Sequence, residues 1–275
     1  MTVPTPATPT RHVREPQFRY LQVFDHRIRV AVWHGSAERV PLLVFNGIGA
    51  NVELLAPLAD CLPDVELIAF DAPGIGGSGP ACRPYRPWQY ALLTTRLLDK
   101  LGYRRQVDVL GISWGGAMAQ QLAFQARRRV RRLVLAATSA GAFMVPGHPS
   151  VLLKLASPRR YLDADYLARH FAALYGDEHG HGDHAARIKP PTLAGYLFQL
   201  FAGAGWTSAP LLPLIPHETL VLAGRRDRIV PPINGRILAS LLPRARLQIV
   251  DGGHLFLMSQ ATQVMPMIDE FLAAD

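Results

Sequence analysis

Apolar positions along this chain follow two rhythms that alternate. Short apolar runs with the length and composition of strands occupy residues 18–24, 28–34, 42–46, 66–71, 107–112, 132–137, 219–223 and 246–250. Between them, apolar positions at helical spacing predict helices over 52–61, 88–101, 114–126, 233–242 and 258–272. The first two runs stand too close together to hold a helix, so they are expected to pair antiparallel. The remaining alternation predicts an α/β fold, a mostly parallel eight-stranded sheet flanked by helices on both faces. The rhythm breaks once. From 141 to 216 no strand is predicted, only helical and loop-like sequence, as expected of a helical cap inserted between two core strands. The chain is thus expected to comprise a loose N-terminal tail (1–17), a core (18–140 and 217–275) and a cap or lid (141–216).

Composition narrows the class. The 275 residues are 49% hydrophobic and only 18% charged, below the roughly 25% charged share of average globular chains, so there is much apolar surface to bury. The formal net charge of +8 raises the question of a polyanionic partner. Five of the arginines, Arg127, Arg128, Arg129, Arg131 and Arg132, end a predicted helix, where cations suit the helix dipole. They read as a solvated helix end, and without a zinc spacing or an aromatic RNA-binding motif nucleic acid is not an expected partner. Cys61 and Cys82 match neither a metal nor a redox spacing, which points to a reducing compartment, the cytoplasm. The opening MTVPTPATPT lacks the apolar core of a signal peptide. Two uncharged stretches, 133–153 and 190–216, approach membrane-span length, but Pro146, Gly147 and Pro149 break one, and Gly203, Gly205, Pro210 and Pro213 break the other. No transmembrane segment is expected.

The strongest chemical signal is Gly111-Ile112-Ser113-Trp114-Gly115, which leaves an apolar strand and opens an apolar helix. That is the context of a nucleophile elbow, where glycines flank the serine because larger side chains would collide in so sharp a turn. A serine hydroxyl needs a base, and a base needs an acid to orient it. Later in the chain Asp227 follows the strand 219–223, and His254 follows the strand ending at Val250. The order Ser113, Asp227, His254 assigns nucleophile, orienting acid and general base. Asp251 lies too near His254 to approach its ring, and Asp71 is expected to tie down its own loop. Oxyanion donors are expected from the backbone N–H groups of Trp114 and of Ile48, within Asn46-Gly47-Ile48-Gly49-Ala50-Asn51, with the Asn46 side chain helping to shape the hole. The chemistry requires no cofactor and no metal. The tract His179-Gly180-His181-Gly182-Asp183-His184 reads as a solvated cap loop rather than a metal site, and Gly74-Ile75-Gly76-Gly77-Ser78-Gly79 lacks the lysine of a phosphate loop.

With these residues identified, the chain resembles the α/β-hydrolase superfamily. Within it, the chain is similar to the intracellular depolymerases of medium-chain-length poly(3-hydroxyalkanoates). The likeness runs from about Tyr20 to Phe271 and is carried by 42–51, 68–74, 111–117, 136–147, 157–161, 199–208 and 251–256. The cap runs are the specific part, because caps differ between subfamilies. The resemblance implies cofactor-free hydrolysis of a storage polyester at the surface of intracellular granules, with Ser113, Asp227 and His254 on the triad positions. It departs from that family's pattern at the basic Gly224-Arg225-Arg226 and at 179–184. Apolar cap residues (Phe143, Met144, Val145, Leu197, Phe198, Leu200, Phe201 and Trp206) suit an insoluble alkyl substrate, and Phe143, Met144 and Trp206 are expected to join Asn46 in binding it. Two alternatives remain. One is an esterase or carbon–carbon bond hydrolase for a small soluble substrate, and the other is a non-catalytic granule-binding protein. A serine at position 113 excludes the aspartate-based dehalogenases and epoxide hydrolases that share the scaffold.

Overall fold

The computed structural model describes residues 13–156, 164–175 and 187–274. Eight strands form one sheet: β1 (Gln17–Val23), β2 (His26–Trp33), β3 (Leu42–Phe45), β4 (Leu67–Phe70), β5 (Val107–Ile112), β6 (Val130–Ala136), β7 (Glu218–Gly224) and β8 (Ala245–Val250). Their spatial order is β1-β2-β4-β3-β5-β6-β7-β8. β2 runs antiparallel to both β1 and β4, and every later pair is parallel. The helices are α1 (Ala56–Asp60), α2 (Pro87–Leu101), α3 (Trp114–Gln125), α4 (Pro149–Ala156), α5 (Ala164–Tyr175), α6 (Leu193–Gly203), α7 (Ile233–Leu241), α8 (Phe256–Ser259) and α9 (Ala261–Ala273).

β3 and β4 are apolar throughout, and β5 and β6 are apolar apart from Asp108, Arg131 and Arg132, because helices cover both faces of the sheet. Successive residues of a strand point to opposite sides. Leu43 and Phe45 of β3 and Val109 of β5 therefore join one core with Leu97 of α2, Leu122 of α3 and Leu238 of α7. Leu42, Val44, Leu110 and Ile112 join a second core with Leu58 of α1 and Val264 and Ile268 of α9. Each such side chain contributes about 1.5–3 kcal/mol on burial, so the strand ends stand on a stiff base. Two predicted helices are divided. Residues 52–61 form a 3-10 turn, Val52–Leu55, ahead of α1. Helix α8 is separated from α9 at Gln260, whose φ of −127° leaves the helical region.

Two expectations need correction. The N-terminal segment is anchored from Arg14 onward, because the Arg14 guanidinium donates to the carbonyls of Ala59, Leu62 and His34 at 2.6–2.9 Å. The arginine cluster is only partly a solvated helix end. Arg129 pairs with Asp99 at 2.6 Å, and Arg131 grips the buried Asp108 of β5 through two hydrogen bonds of 2.6 and 2.9 Å. Arg132 donates to the carbonyls of Leu272 and Ala274 at the end of α9. Burial pushes the Asp108 carboxyl up from its usual range, against the pull of Arg131.

Between β6 and β7 lie α4, α5 and α6. The last is tied down at both ends. At its start, the Thr192 hydroxyl accepts from Gly195 N–H and donates to the Gly74 carbonyl, while Thr192 N–H donates to that same carbonyl. At its end, Arg86 donates to the carbonyls of Phe201 and Ala204 and lies over the Phe201 ring, 4.2 Å from its centroid. Among the described residues no helix is long and apolar enough to cross a membrane.

Candidate active site

The bend between β5 and α3 places Ser113 at φ 54°, a positive value that a non-glycine residue adopts only where its surroundings enforce it. The enforcement is steric and polar. A Cβ on Gly115 would lie 2.2 Å from the Phe45 carbonyl oxygen, and one on Gly111 would lie 2.6 Å from Ala119. Ser113 N–H donates to the Ala136 carbonyl at 2.9 Å, and the Thr138 hydroxyl donates to the Ser113 carbonyl at 2.7 Å. The hydroxyl is thereby held at the positive end of the α3 dipole.

His254 arrives from the end of β8. Its Nε2 lies 3.0 Å from Ser113 Oγ, and its Nδ1 lies 2.7 Å from Asp227 Oδ2. A carboxylate only accepts, so the ring proton belongs on Nδ1 and Nε2 is left to accept from the serine hydroxyl. Asp227 is itself immobilised: its other oxygen accepts from the N–H groups of Ile229 and Val230, both at 2.8 Å. Ser113 and His254, 141 positions apart in the chain, thus meet with Asp227 in one run of hydrogen bonds. The other acids lie elsewhere. Asp251 is exposed and pairs with Arg226, and Asp71 accepts from Gly77 N–H and Val52 N–H and pairs with Arg29 at 2.8 Å.

The loop after β3 faces the same point. Ala50 N–H donates to the Gly47 carbonyl, and Gly49 has a φ of 70°, which makes a type II turn centred on Ile48 and Gly49. The Asn46 side chain braces both ends of the loop, accepting from Gly47 N–H and donating to the Asn51 carbonyl, each at 2.9 Å. Beyond the loop, buried Asn51 donates to the Arg187 carbonyl and accepts from Lys189 N–H. Glu53 joins this cluster: burial opposes its ionisation, yet the hydrogen bonds from Arg29, Lys189 and Asn51 outweigh it and bring the carboxyl down to about 2. Asp71, fully enclosed beside the same Arg29, is instead pushed up by its burial.

Ser113 and His254 open on a cavity lined by Asn46, Gly47, Ile48, Ala50, Leu54, Ile112, Tyr175, Ile188, Ile229, Leu255 and Met258. The expected substrate residues divide. Asn46 and Ile48 line this cavity, but Phe143, Met144 and Trp206 do not. Phe143 points outward and is 72% exposed. Met144 stands one layer back, against Val151, Phe171 and Tyr175. Trp206 is turned toward α3, its indole N–H donating to Gln121 at 3.0 Å. Several residues outside the sequence expectation line the cavity. Ile229 and Leu255 follow Asp227 and His254 closely enough to have been found by adjacency, whereas Tyr175 and Ile188 carry no such signal. The Tyr175 carbonyl also accepts from His254 N–H at 2.6 Å. The tract 179–184 lies outside the described residues, as does the run 157–161.

Residues 40–261 match the α/β hydrolase fold family, and with the sheet order above this identifies the class: the chain belongs to the α/β-hydrolase fold family. It is 49% identical to the poly(3-hydroxyalkanoate) depolymerase of Ectopseudomonas oleovorans over 93% of this chain and 92% of that one. It is 30% identical to a 2-hydroxymuconate semialdehyde hydrolase of Pseudomonas sp. strain CF600, over 87% of this chain and 89% of the relative. Among solved structures, a hydrolase from Pseudomonas aeruginosa PA01 superposes with a TM-score of 0.78 at 25% identity, covering 94% of this chain and 98% of the other.

Proposed function

We propose that this chain is an intracellular serine hydrolase that cleaves the ester bonds of medium-chain-length polyhydroxyalkanoate through an acyl-enzyme on Ser113. The observation that carries this reading is the hydrogen-bonded run from Ser113 through His254 to Asp227, opening on a largely apolar cavity. His254 Nε2 takes the hydroxyl proton as Ser113 Oγ bonds to the ester carbonyl carbon. Asp227, held by Ile229 and Val230, stabilises the imidazolium. The N–H groups of Ile48 and Trp114 receive the oxyanion. Collapse of the tetrahedral intermediate expels the alcohol oxygen of the next hydroxyacyl unit, to which His254 returns the proton. Water, deprotonated by the same imidazole, then releases the acid and restores Ser113.

The relative named as a poly(3-hydroxyalkanoate) depolymerase supports a polyester as substrate. So does the outer surface of α6, where Leu193, Leu197, Leu200 and Phe201 stand between 45% and 67% exposed. An apolar face of that kind, on a segment we take to be the cap over 141–216, suits contact with an insoluble granule. Purified protein is expected to clear a medium-chain polyester suspension faster than a short-chain one, and Ser113→Ala is expected to abolish clearing with the fold retained. Undiminished clearing by Ser113→Ala would overturn the reading.

The likeness to 2-hydroxymuconate semialdehyde hydrolase favours a second reading, in which the same three residues act on a small soluble substrate. Rapid turnover of a soluble ester or of a ring-fission dienoate, with both polyesters untouched, would select it.

A further inference from the structure

We propose that Gln199, on the inner face of α6, is a positioning residue that holds the oxyanion loop in its active conformation; the proposal rests on the serine-hydrolase reading above. Gln199 is buried, 2% exposed, although it belongs to a helix whose outer face is apolar and solvated. Its side-chain oxygen accepts from Gly49 N–H at 2.7 Å. Its backbone carbonyl accepts from the Trp114 indole N–H at 3.0 Å. One residue of the segment between β6 and β7 therefore touches the loop that supplies Ile48 and the residue directly after Ser113.

The turn type explains what the first contact does. Gly49 N–H is the central amide of the type II turn between Gly47 and Ala50, and converting that turn to type I rotates the Ile48–Gly49 peptide by half a revolution. The N–H would then leave Gln199, and the Ile48 carbonyl would swing toward the Gln199 oxygen, acceptor against acceptor. The bond thus selects one of two low-energy loop forms, which the Asn46 braces at the loop's ends leave undecided. Gln199 can serve as a fixed post because α6 is itself tied down along its length: Thr192 joins its start to Gly74, Arg86 bonds its end, and Trp114, packed edge-on against Tyr90, bonds its middle. The oxyanion donor, Ile48 N–H, belongs to the neighbouring peptide that shares the Ile48 Cα with the flipping one. A donor shifted there by a fraction of an ångström stabilises an oxyanion poorly, so the contact acts on the transition state and scarcely on ground-state binding.

The test compares Gln199→Met, which fills the same volume without a good acceptor, with Gln199→Glu, whose carboxylate still accepts. With 4-nitrophenyl octanoate, Gln199→Met is expected to lower kcat about 10- to 100-fold, with KM within about twofold. Its affinity for octylboronic acid, which forms a tetrahedral adduct on a nucleophilic serine, should fall in parallel, while inhibition by octanamide stays unchanged. Gln199→Glu should restore most of kcat. If Gln199→Met does not fold, Gln199→Asn carries the test, since withdrawing the acceptor by one methylene should give the same selective loss. A folded Met or Asn variant with wild-type kcat overturns the proposal, as does a loss that Glu fails to rescue or that falls on KM and kcat alike. Ser113→Ala, assayed beside them, separates the two readings. An active Ser113→Ala removes the serine-hydrolase reading itself, whereas an inactive one together with a fully active Gln199→Met removes only the role of Gln199.

Discussion

At the ends of β5 and β8 the backbone itself holds the candidate nucleophile and base, whereas the segment between β6 and β7 reaches the same site through a few single hydrogen bonds. Ser113 sits in a bend that glycine sterics leave no room to relax, at the end of β5, whose residues are all buried. Tyr175, Ile188 and Gln199 arrive from helices and loops that expose Phe143, Leu153 and Leu193 by 67–76%. The difference separates two tasks. The sheet fixes its residues through packed backbone, whereas the segment between β6 and β7 brings exposed apolar surface and single polar contacts.

The comparison implies a hierarchy of sensitivities. Asp227→Asn removes the group that orients His254 and should lower kcat about 10⁴-fold with the fold kept, measured with a soluble ester and checked by circular dichroism. A loss of less than tenfold would show that the acid is elsewhere. Gly115→Ala puts a methyl group into the Phe45 carbonyl and should cost about 1–3 kcal/mol of stability, read from the urea midpoint, along with much of the activity. An unchanged midpoint would mean that the elbow is less tightly packed than its geometry implies. On the other side of the comparison, the double substitution Leu197→Ser with Leu200→Ser should slow clearing of a medium-chain polyester several-fold. Turnover of a soluble octanoate ester should stay nearly level, because neither side chain lines the cavity. Equal effects on both substrates would assign α6 to the cavity instead.

The smallest effect concerns acid. The Glu53 carboxyl is depressed to about 2 in the folded chain, so its stabilising contribution is complete above its ordinary value near 4.5 and is lost as pH falls toward 2. The stability difference between wild type and Glu53→Gln should be full at pH 6 and vanish near pH 2. A difference that grows toward acid would contradict the Arg29–Glu53–Lys189 cluster.

Legibility in the sequence followed the same division. The strands, the elbow and the order of Ser113, Asp227 and His254 were readable because each depends on local pattern: an apolar run, a glycine at a fixed offset, a polar residue just past a strand. Gln199 was not, because its meeting with Gly49 spans 150 residues and leaves no periodic trace. The places of Phe143, Met144 and Trp206 were not legible for a related reason: an apolar side chain signals burial or contact without saying against what, and the Trp206 indole meets Gln121. Arg131 and Arg132 looked like a solvated charge run because the buried Asp108 and the end of α9 that engage them lie 23 and 140 residues away.

Rapid-quench mass spectrometry during hydrolysis of 4-nitrophenyl octanoate, with peptide mapping, tests the nucleophile most directly. One octanoyl group should accumulate transiently on Ser113 and on no other residue, and none should form in His254→Ala. Sustained turnover with no acylated peptide, or with the acyl group on a different side chain, would contradict the account.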